Sequence, residues 1–191
     1  MGREARDAAP RRAQQPLVPE FDRRIDVAAA TRRKIALDFE AAPAERAAIA
    51  RYLDLLSLES LAGAVTVRPW RQGFALEGRF EARVVQACVV TLDPVASDIV
   101  QDFERFYLPP AVLSRERRGG EAEEVEVDVA EGEVPEELPG QDIPLGDVLV
   151  EELSLALDPF PRAPGAEVAL PSDGEAPPHP FAALAKLRRE D

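Results

Sequence analysis

Residues 61–109, LAGAVTVRPWRQGFALEGRFEARVVQACVVTLDPVASDIVQDFERFYLP, alternate apolar and polar side chains along much of their length. Val65 and Val67, Phe74 and Leu76, and then Phe80 mark the apolar positions. Turn residues interrupt the pattern near Arg71-Gln72-Gly73 and Leu92-Asp93-Pro94. Period-two alternation sends one row of side chains to a core and the other to water, and short turns join neighbours that run antiparallel. A β-meander is therefore predicted. Ile99, Phe103 and Tyr107 recur at every fourth position, which suits a helix or a strand. Their β-branched and aromatic character, with Pro94 and Pro109 on either side, favours the strand.

The flanking segments supply helices. Upstream, EFDRRIDV and RKIALDFE read as short β-like runs, with Ile35, Leu37 and Phe39 on one face. Pro43 then opens a helix with Glu45 in its first turn and with Ala48, Ile49, Tyr52, Leu55 and Leu56 on one side. Downstream, Leu145, Leu149, Leu153 and Leu157 are spaced four apart, joined by Val148 and Ala156. Asp147, Glu151 and Ser154 occupy the opposite face, while Glu152 falls toward the apolar side and requires a hydrogen-bonding partner. The expected architecture is α+β: a curved antiparallel sheet of about six strands, packed by helices near 43–58 and 145–157. Whether the curvature closes a barrel is not written in the pattern. Residues 20–170 form the expected single domain. They lie between a disordered basic tail at 1–19 and, at 171–191, a proline-rich linker with a short helix anchored by Phe181, Leu184 and Leu187.

Charge narrows the function. With 23 basic and 36 acidic side chains the 191-residue chain carries a formal net charge of -13, which repels a polyanion unless positive charge is locally concentrated. Only Lys34 and Lys186 are lysines, a skew ascribed to base composition and given no functional weight. No apolar run is long enough to span a bilayer, no signal peptide is evident, and one cysteine cannot form an internal disulfide. A cytoplasmic protein is expected. His179 is the only histidine, set in PPHP, and phosphate loops, dinucleotide fingerprints, zinc-protease motifs and calcium loops are missing from the sequence. No catalytic residue, cofactor, metal or small-molecule substrate is predicted.

Four features remain. From Glu121 through Asp158 there are fourteen acids and no Lys or Arg. Within the acidic loop 115–140, EEVEVDV alternates Glu124, Glu126 and Asp128 with valines, an amphipathic strand with a carboxylate face that is either a charge-protected edge or a partner-binding face. In DPFPR, Pro159 and Pro161 force an extended frame around Phe160. The ring is expected to dock into the protein's own core more readily than into a partner, with Arg162 near enough to pair with Asp158. Cys88 has apolar neighbours in QACVVTLDP and reads as a neutral thiol packed like a small hydrophobe. Trp70, between Arg68 and Arg71, either caps a hydrophobic edge or offers a stacking ring to a base.

Taken in order, CVVTLDPV, the acidic segment, VEELSLALDPFPR and the terminal HPFAALAKL resemble the YceD family of large ribosomal RNA accumulation proteins, over roughly Phe21 to Leu187. The resemblance implies a bacterial cytoplasmic factor, with a plastid relative, needed for accumulation of large-subunit ribosomal RNA, and implies no catalysis. Many members carry a C-x-x-C pair at this hairpin. Here Thr91 follows Cys88 in the second position, and one thiolate without a nearby histidine cannot complete a tetrahedral zinc set, so no metal site is carried over.

Two functional expectations follow. In the first, an acidic surface including Glu124, Glu126 and Asp128, with Asp158, Phe160 and Arg162, binds a basic large-subunit ribosomal protein. In the second, Arg23, Arg24, Arg32, Arg33 and Lys34 bind large-subunit ribosomal RNA precursor directly, with Trp70 as the stacking ring.

Overall fold

The computed structural model describes residues 15–31, 33–119, 134–138 and 140–167. Its centre is the predicted meander. β3 (Ser57–Trp70), β4 (Gly73–Ala87) and β5 (Pro94–Leu108) run antiparallel in unbroken succession, apart from a bulge between Leu58 and Ser60. The turns fall at the two signalled places, and each needs a residue in the left-handed region: Arg71 at φ 48 and Leu92 at φ 65. β2 (Ile35–Glu40) lines the other side of β3 antiparallel. β6 (Glu136–Glu137) pairs parallel with Tyr107 and Leu108 at the end of β5, so the five-stranded sheet is mixed.

A separate two-stranded sheet joins β1 (Ile25–Asp26) to β7 (Asp142–Ile143). The expectation of about six strands in one antiparallel sheet is thus corrected to two sheets, and the larger one does not close into a barrel. Two-residue strands leave no periodicity in a sequence, which is why β1, β6 and β7 escape the pattern.

One face of the large sheet carries the core. Leu61, Val65 and Val67 of β3 and Leu76, Phe80, Ala82 and Val84 of β4 point inward in register. They pack with Ala48 and Ile49 of α1 (Pro43–Tyr52) and with Leu145, Val148, Leu149 and Leu153 of α3 (Leu145–Ala156). Pro43 starts α1 where its missing N–H costs nothing, and Glu45 accepts the Ala42 N–H at 2.6 Å.

The helix ends at Tyr52, well short of the expected 58, because Asp54 turns into the left-handed region at φ 55. Tyr52 and Leu56 consequently face solvent instead of the core. On β2 Phe39 is buried as expected, whereas Leu37 is 41% exposed near the sheet margin. A third helix, α2 (Pro110–Gly119), was not foreseen and takes up the start of the expected acidic loop. The N-terminal side is packed further than expected: Val18 is buried, and the Leu17 N–H donates to Asp147 at 2.8 Å, so the expected tail ends before residue 19. Gly146 admits this segment, since a Cβ there would strike the Phe21 carbonyl, and its N–H donates to Arg23 O at 3.0 Å.

Glu152 has the partner its position demands. Arg105, on the inner face of β5, donates to Glu152 at 2.9 Å and to Glu151 at 2.8 Å, and pairs with Glu136 at 3.3 Å. One guanidinium thus ties β5, β6 and α3 together. The side chains of Arg105 and Glu152 are only 14% and 12% exposed. Burial works against the guanidinium charge, but the Glu152 hydrogen bond and the Glu136 field hold its pKa above the ordinary arginine value. Burial, reinforced by Glu136, likewise raises the neighbouring Tyr107 phenol.

Removing one partner of such a pair leaves the other charged and desolvated. Arg105→Met is expected to cost about 3–5 kcal/mol in denaturant unfolding, and the double change Arg105→Met/Glu152→Leu to recover most of it. Additive losses in the two variants would refute the coupling.

Candidate functional site

Among the described residues no helix lies across most of the sheet's other face. From the register, it presents Asp38 and Glu40 of β2, Ala62, Ala64, Thr66 and Arg68 of β3, Glu77, Arg79, Glu81 and Arg83 of β4, and Ala96, Asp98, Val100, Asp102 and Glu104 of β5. Charges of opposite sign stand on neighbouring strands. Arg68 pairs with Glu77 and, at 2.9 Å, with Glu104; Arg79 meets Asp102 at 2.8 Å. Arg83 reaches Glu59 at 2.9 Å and Asp98 at 3.0 Å.

These cross-strand pairs are largely exposed and screened by solvent, so they serve order more than stability. Carboxylates outnumber the arginines on this face. Asp38, Glu40 and Glu81 have no cation partner among the described residues, and all three are exposed. Among the described residues this face is exposed and carries more carboxylates than arginines.

At the end near the first turn the face is capped. Trp70 packs on Phe106 with ring centroids 4.5 Å apart, and the Arg71 guanidinium lies 4.3 Å from the Trp70 ring centroid. Ala75 and Phe106 beneath are buried. Trp70 therefore caps a hydrophobic edge, and the ring considered for base stacking already has two neighbours.

The basic cluster is divided in the same way. Arg23 bridges Glu45 at 2.8 Å, donates to the Glu40 carbonyl at 2.8 Å and lies 5.1 Å from the Phe21 ring centroid, so it is bound into the fold. Its hydrogen bond and the Ala42 N–H outweigh the burial that would raise Glu45, and they hold that carboxyl below its ordinary value. Arg24 pairs with Asp22 at 2.8 Å. Arg33 and Lys34 are exposed, and Arg32 lies outside the described residues.

The DPFPR strut is docked, though not by its phenylalanine. Gln86 Nε2 donates to Asp158 O at 3.0 Å, and the Val89 N–H to Pro161 O at 2.9 Å. Pro161 is buried while Phe160 is 70% exposed, which reverses the expected internal docking. Asp158 accepts the Phe160 N–H at 2.9 Å, and among the described residues no ion pair joins it to Arg162. Glu124, Glu126 and Asp128 lie outside the described residues, as does the predicted C-terminal helix.

Cys88 also departs from expectation. It is buried, but its Sγ accepts backbone N–H groups from Ala163 at 3.3 Å and from Val90 and Thr91 at 3.4 Å each. The Ala163 N–H and then the Thr91 hydroxyl and N–H favour the thiolate over the opposing effect of burial, lowering the pKa from 9.0 to about 6. Sequence neighbours alone could not reveal this, because Ala163 arrives from the strut. Among the described residues no three His, Cys, Asp or Glu side chains gather as a metal-ligating group, and no helix is long and apolar enough to cross a membrane.

Fold and surface define an α+β protein built on a five-stranded mixed sheet, packed by helices on one face, with a carboxylate-bearing opposite face exposed among the described residues and a proline-framed strut pinned at the β4–β5 hairpin. The chain belongs to the YceD family: the model described as "Large ribosomal RNA subunit accumulation protein YceD" matches residues 76–188. That span takes in most of β4, the Cys88 hairpin, β5, α3 and the strut, and leaves β1–β3 and α1 outside. Membership links the chain to accumulation of the large ribosomal RNA subunit. No curated protein and no solved structure matches the chain.

A thiol whose folded pKa is lowered adds stability as a thiolate. That contribution is complete above about pH 9 and is lost as pH falls toward 6. The unfolding free-energy gap between the wild type and Cys88→Ala, measured under reducing conditions, should therefore widen from pH 6 to pH 9. A gap that does not change with pH would return Cys88 to the neutral, packed thiol expected from its sequence.

Proposed function

We propose that the chain is a non-enzymatic ribosome-biogenesis factor that supports 23S ribosomal RNA accumulation by holding a basic large-subunit ribosomal protein on its acidic sheet face. The family assignment supplies the ribosomal context. The observation that carries the partner's chemistry is the outer sheet face itself, where Asp38, Glu40 and Glu81 stand unpaired among the described residues beside the ordered arginine–carboxylate pairs. Small ribosomal proteins are strongly cationic before they meet RNA. A face with excess carboxylates, on a chain whose formal net charge is -13, attracts them over a Debye length of about 8–10 Å at ordinary salt. The carboxylates of the 124–128 segment add to the same sign.

Direct RNA binding has less to draw on. Arg23 and Arg24 are engaged with carboxylates, and Trp70 with Phe106 and Arg71. This leaves Arg33 and Lys34 as the exposed members of that set without an ion pair among the described residues.

Affinity capture from lysate, with and without nuclease, separates the two. A basic large-subunit ribosomal protein is expected to stay bound after nuclease treatment and to leave as salt rises, and Glu81→Lys together with Asp38→Lys should weaken its retention. Retention that vanishes with nuclease would move the function to RNA. Retention of no basic ribosomal protein at low salt would remove this reading altogether.

A further inference from the structure

β5 has two sides, and one of them is open. β4 occupies one side along the whole strand, whereas β6 covers only Tyr107 and Leu108 on the other. Among the described residues no strand pairs with that second side from Pro94 to Phe106.

The hydrogen-bond pattern identifies the groups left there. In an antiparallel pair, alternate residues direct both N–H and C=O to the partner, and those between direct theirs away. Cys88 N donates to Asp93 O at 2.8 Å, and this phase commits Val95, Ser97, Ile99, Gln101, Phe103 and Arg105 to β4. Ala96, Asp98, Val100, Asp102 and Glu104 therefore face the open side. Two observations agree. Leu138 N donates to Leu108 O at 2.9 Å from that side, and the Asp102 carbonyl, free of the ladder, accepts the Gln101 side-chain amide at 3.0 Å.

A long open edge pairs with any available strand unless its side chains select against some of them. Here the outer row along the edge is Asp98, Val100, Asp102 and Glu104, with no lysine; each carboxylate meets one arginine on its sheet side, Arg83, Arg79 or Arg68, and is exposed to solvent besides. A second copy would set carboxylate against carboxylate, and the chain's own Glu124–Asp128 stretch has the same sign. The inner row holds Val95, Ile99 and Phe103, which are half-buried and would be covered more fully by one more strand.

We infer that the β5 edge binds an extended segment of a basic protein by strand addition, lysine or arginine lying beside Asp98, Asp102 and Glu104 and alternate apolar residues beside Ile99 and Phe103. This rests on the proposed basic partner and specifies how it docks.

The test uses the full chain and a synthetic peptide alternating lysine and valine, with a glutamate–valine peptide as control. On adding the lysine peptide, amide exchange at Asp98, Val100, Asp102 and Glu104 should slow at least about tenfold. Exchange at Ile99, Gln101 and Phe103, already in the ladder, should hardly change. Val100→Pro removes an edge donor without touching the β4 ladder or the charge, and should weaken the peptide about tenfold. If that variant does not fold, the alternating exchange pattern of the wild type decides.

Protection of the even-numbered amides in the free protein at every concentration would mean that its own chain fills the edge. Protection that grows with protein concentration would mean a second copy does. Either outcome overturns the inference, as does lysine-peptide binding without the odd–even pattern. Capture of a basic ribosomal protein that survives Val100→Pro but fails when Asp38 and Glu81 are reversed would leave the proposed function standing and remove only the edge.

Discussion

Length mismatch between strands and helices governs this molecule. β4 and β5 each contain 15 residues, about 50 Å of strand. α1 and α3 contain 10 and 12, about 15 and 18 Å of helix. Two such helices with the packed N-terminal segment cover the inner face of β3 and β4, but among the described residues leave β5 half-covered and the outer face without a helix. A sheet in that position stays soluble only if its uncovered face is charged and its uncovered edge is guarded. Charged outer rows are therefore demanded by the architecture before any partner is considered, whichever sign they carry.

The distribution of charge within the sheet follows from the same demand. Arg79 and Arg83 occupy the central strand β4, and their carboxylates stand on β3 and β5, so each guanidinium neutralises its neighbours where strands must lie close. The acids without a cation partner among the described residues fall on β2 and between the arginines of β4. Arg105 is the exception that faces inward, and its position explains why α3 and β6 can reach the end of β5 at all. Without a buried cation there, Glu136, Glu151 and Glu152 would crowd one strand end with like charge.

Much of this was legible in the sequence because it depends on local period. The meander, both of its turns, the inner residues of β3 and β4 and the buried face of α3 all follow from spacing, as does the need of Glu152 for a partner. What escaped depends on contacts distant in sequence or on competing local signals. Leu55 and Leu56 continue the helical spacing of α1, yet they also begin the approach to β3, and the left-handed Asp54 decides between the two. α2 begins at Pro110 with few apolar residues and runs into a charged segment, so no face announces it. Arg105 gives no sign of joining three elements, since its partners lie more than thirty residues away.

The strut shows the same limit from the opposite direction. Pro159 and Pro161 made its extended form certain, but not which side it would present. That is settled by the Gln86 side-chain amide and by the backbone N–H groups of Val89 and Ala163, whose hydrogen bonds fasten its flanks to the Cys88 hairpin and leave the Phe160 ring in solvent. Thr91, three residues past the lone sulfur, assists it by hydrogen bonding. A ring held between two prolines has little conformational freedom left to lose, so any surface that buries it gains apolar contact at small entropic cost. Because the strut is pinned where β4 turns into β5, that ring lies at the end of the same strand pair whose outer face and open edge carry the acidic rows.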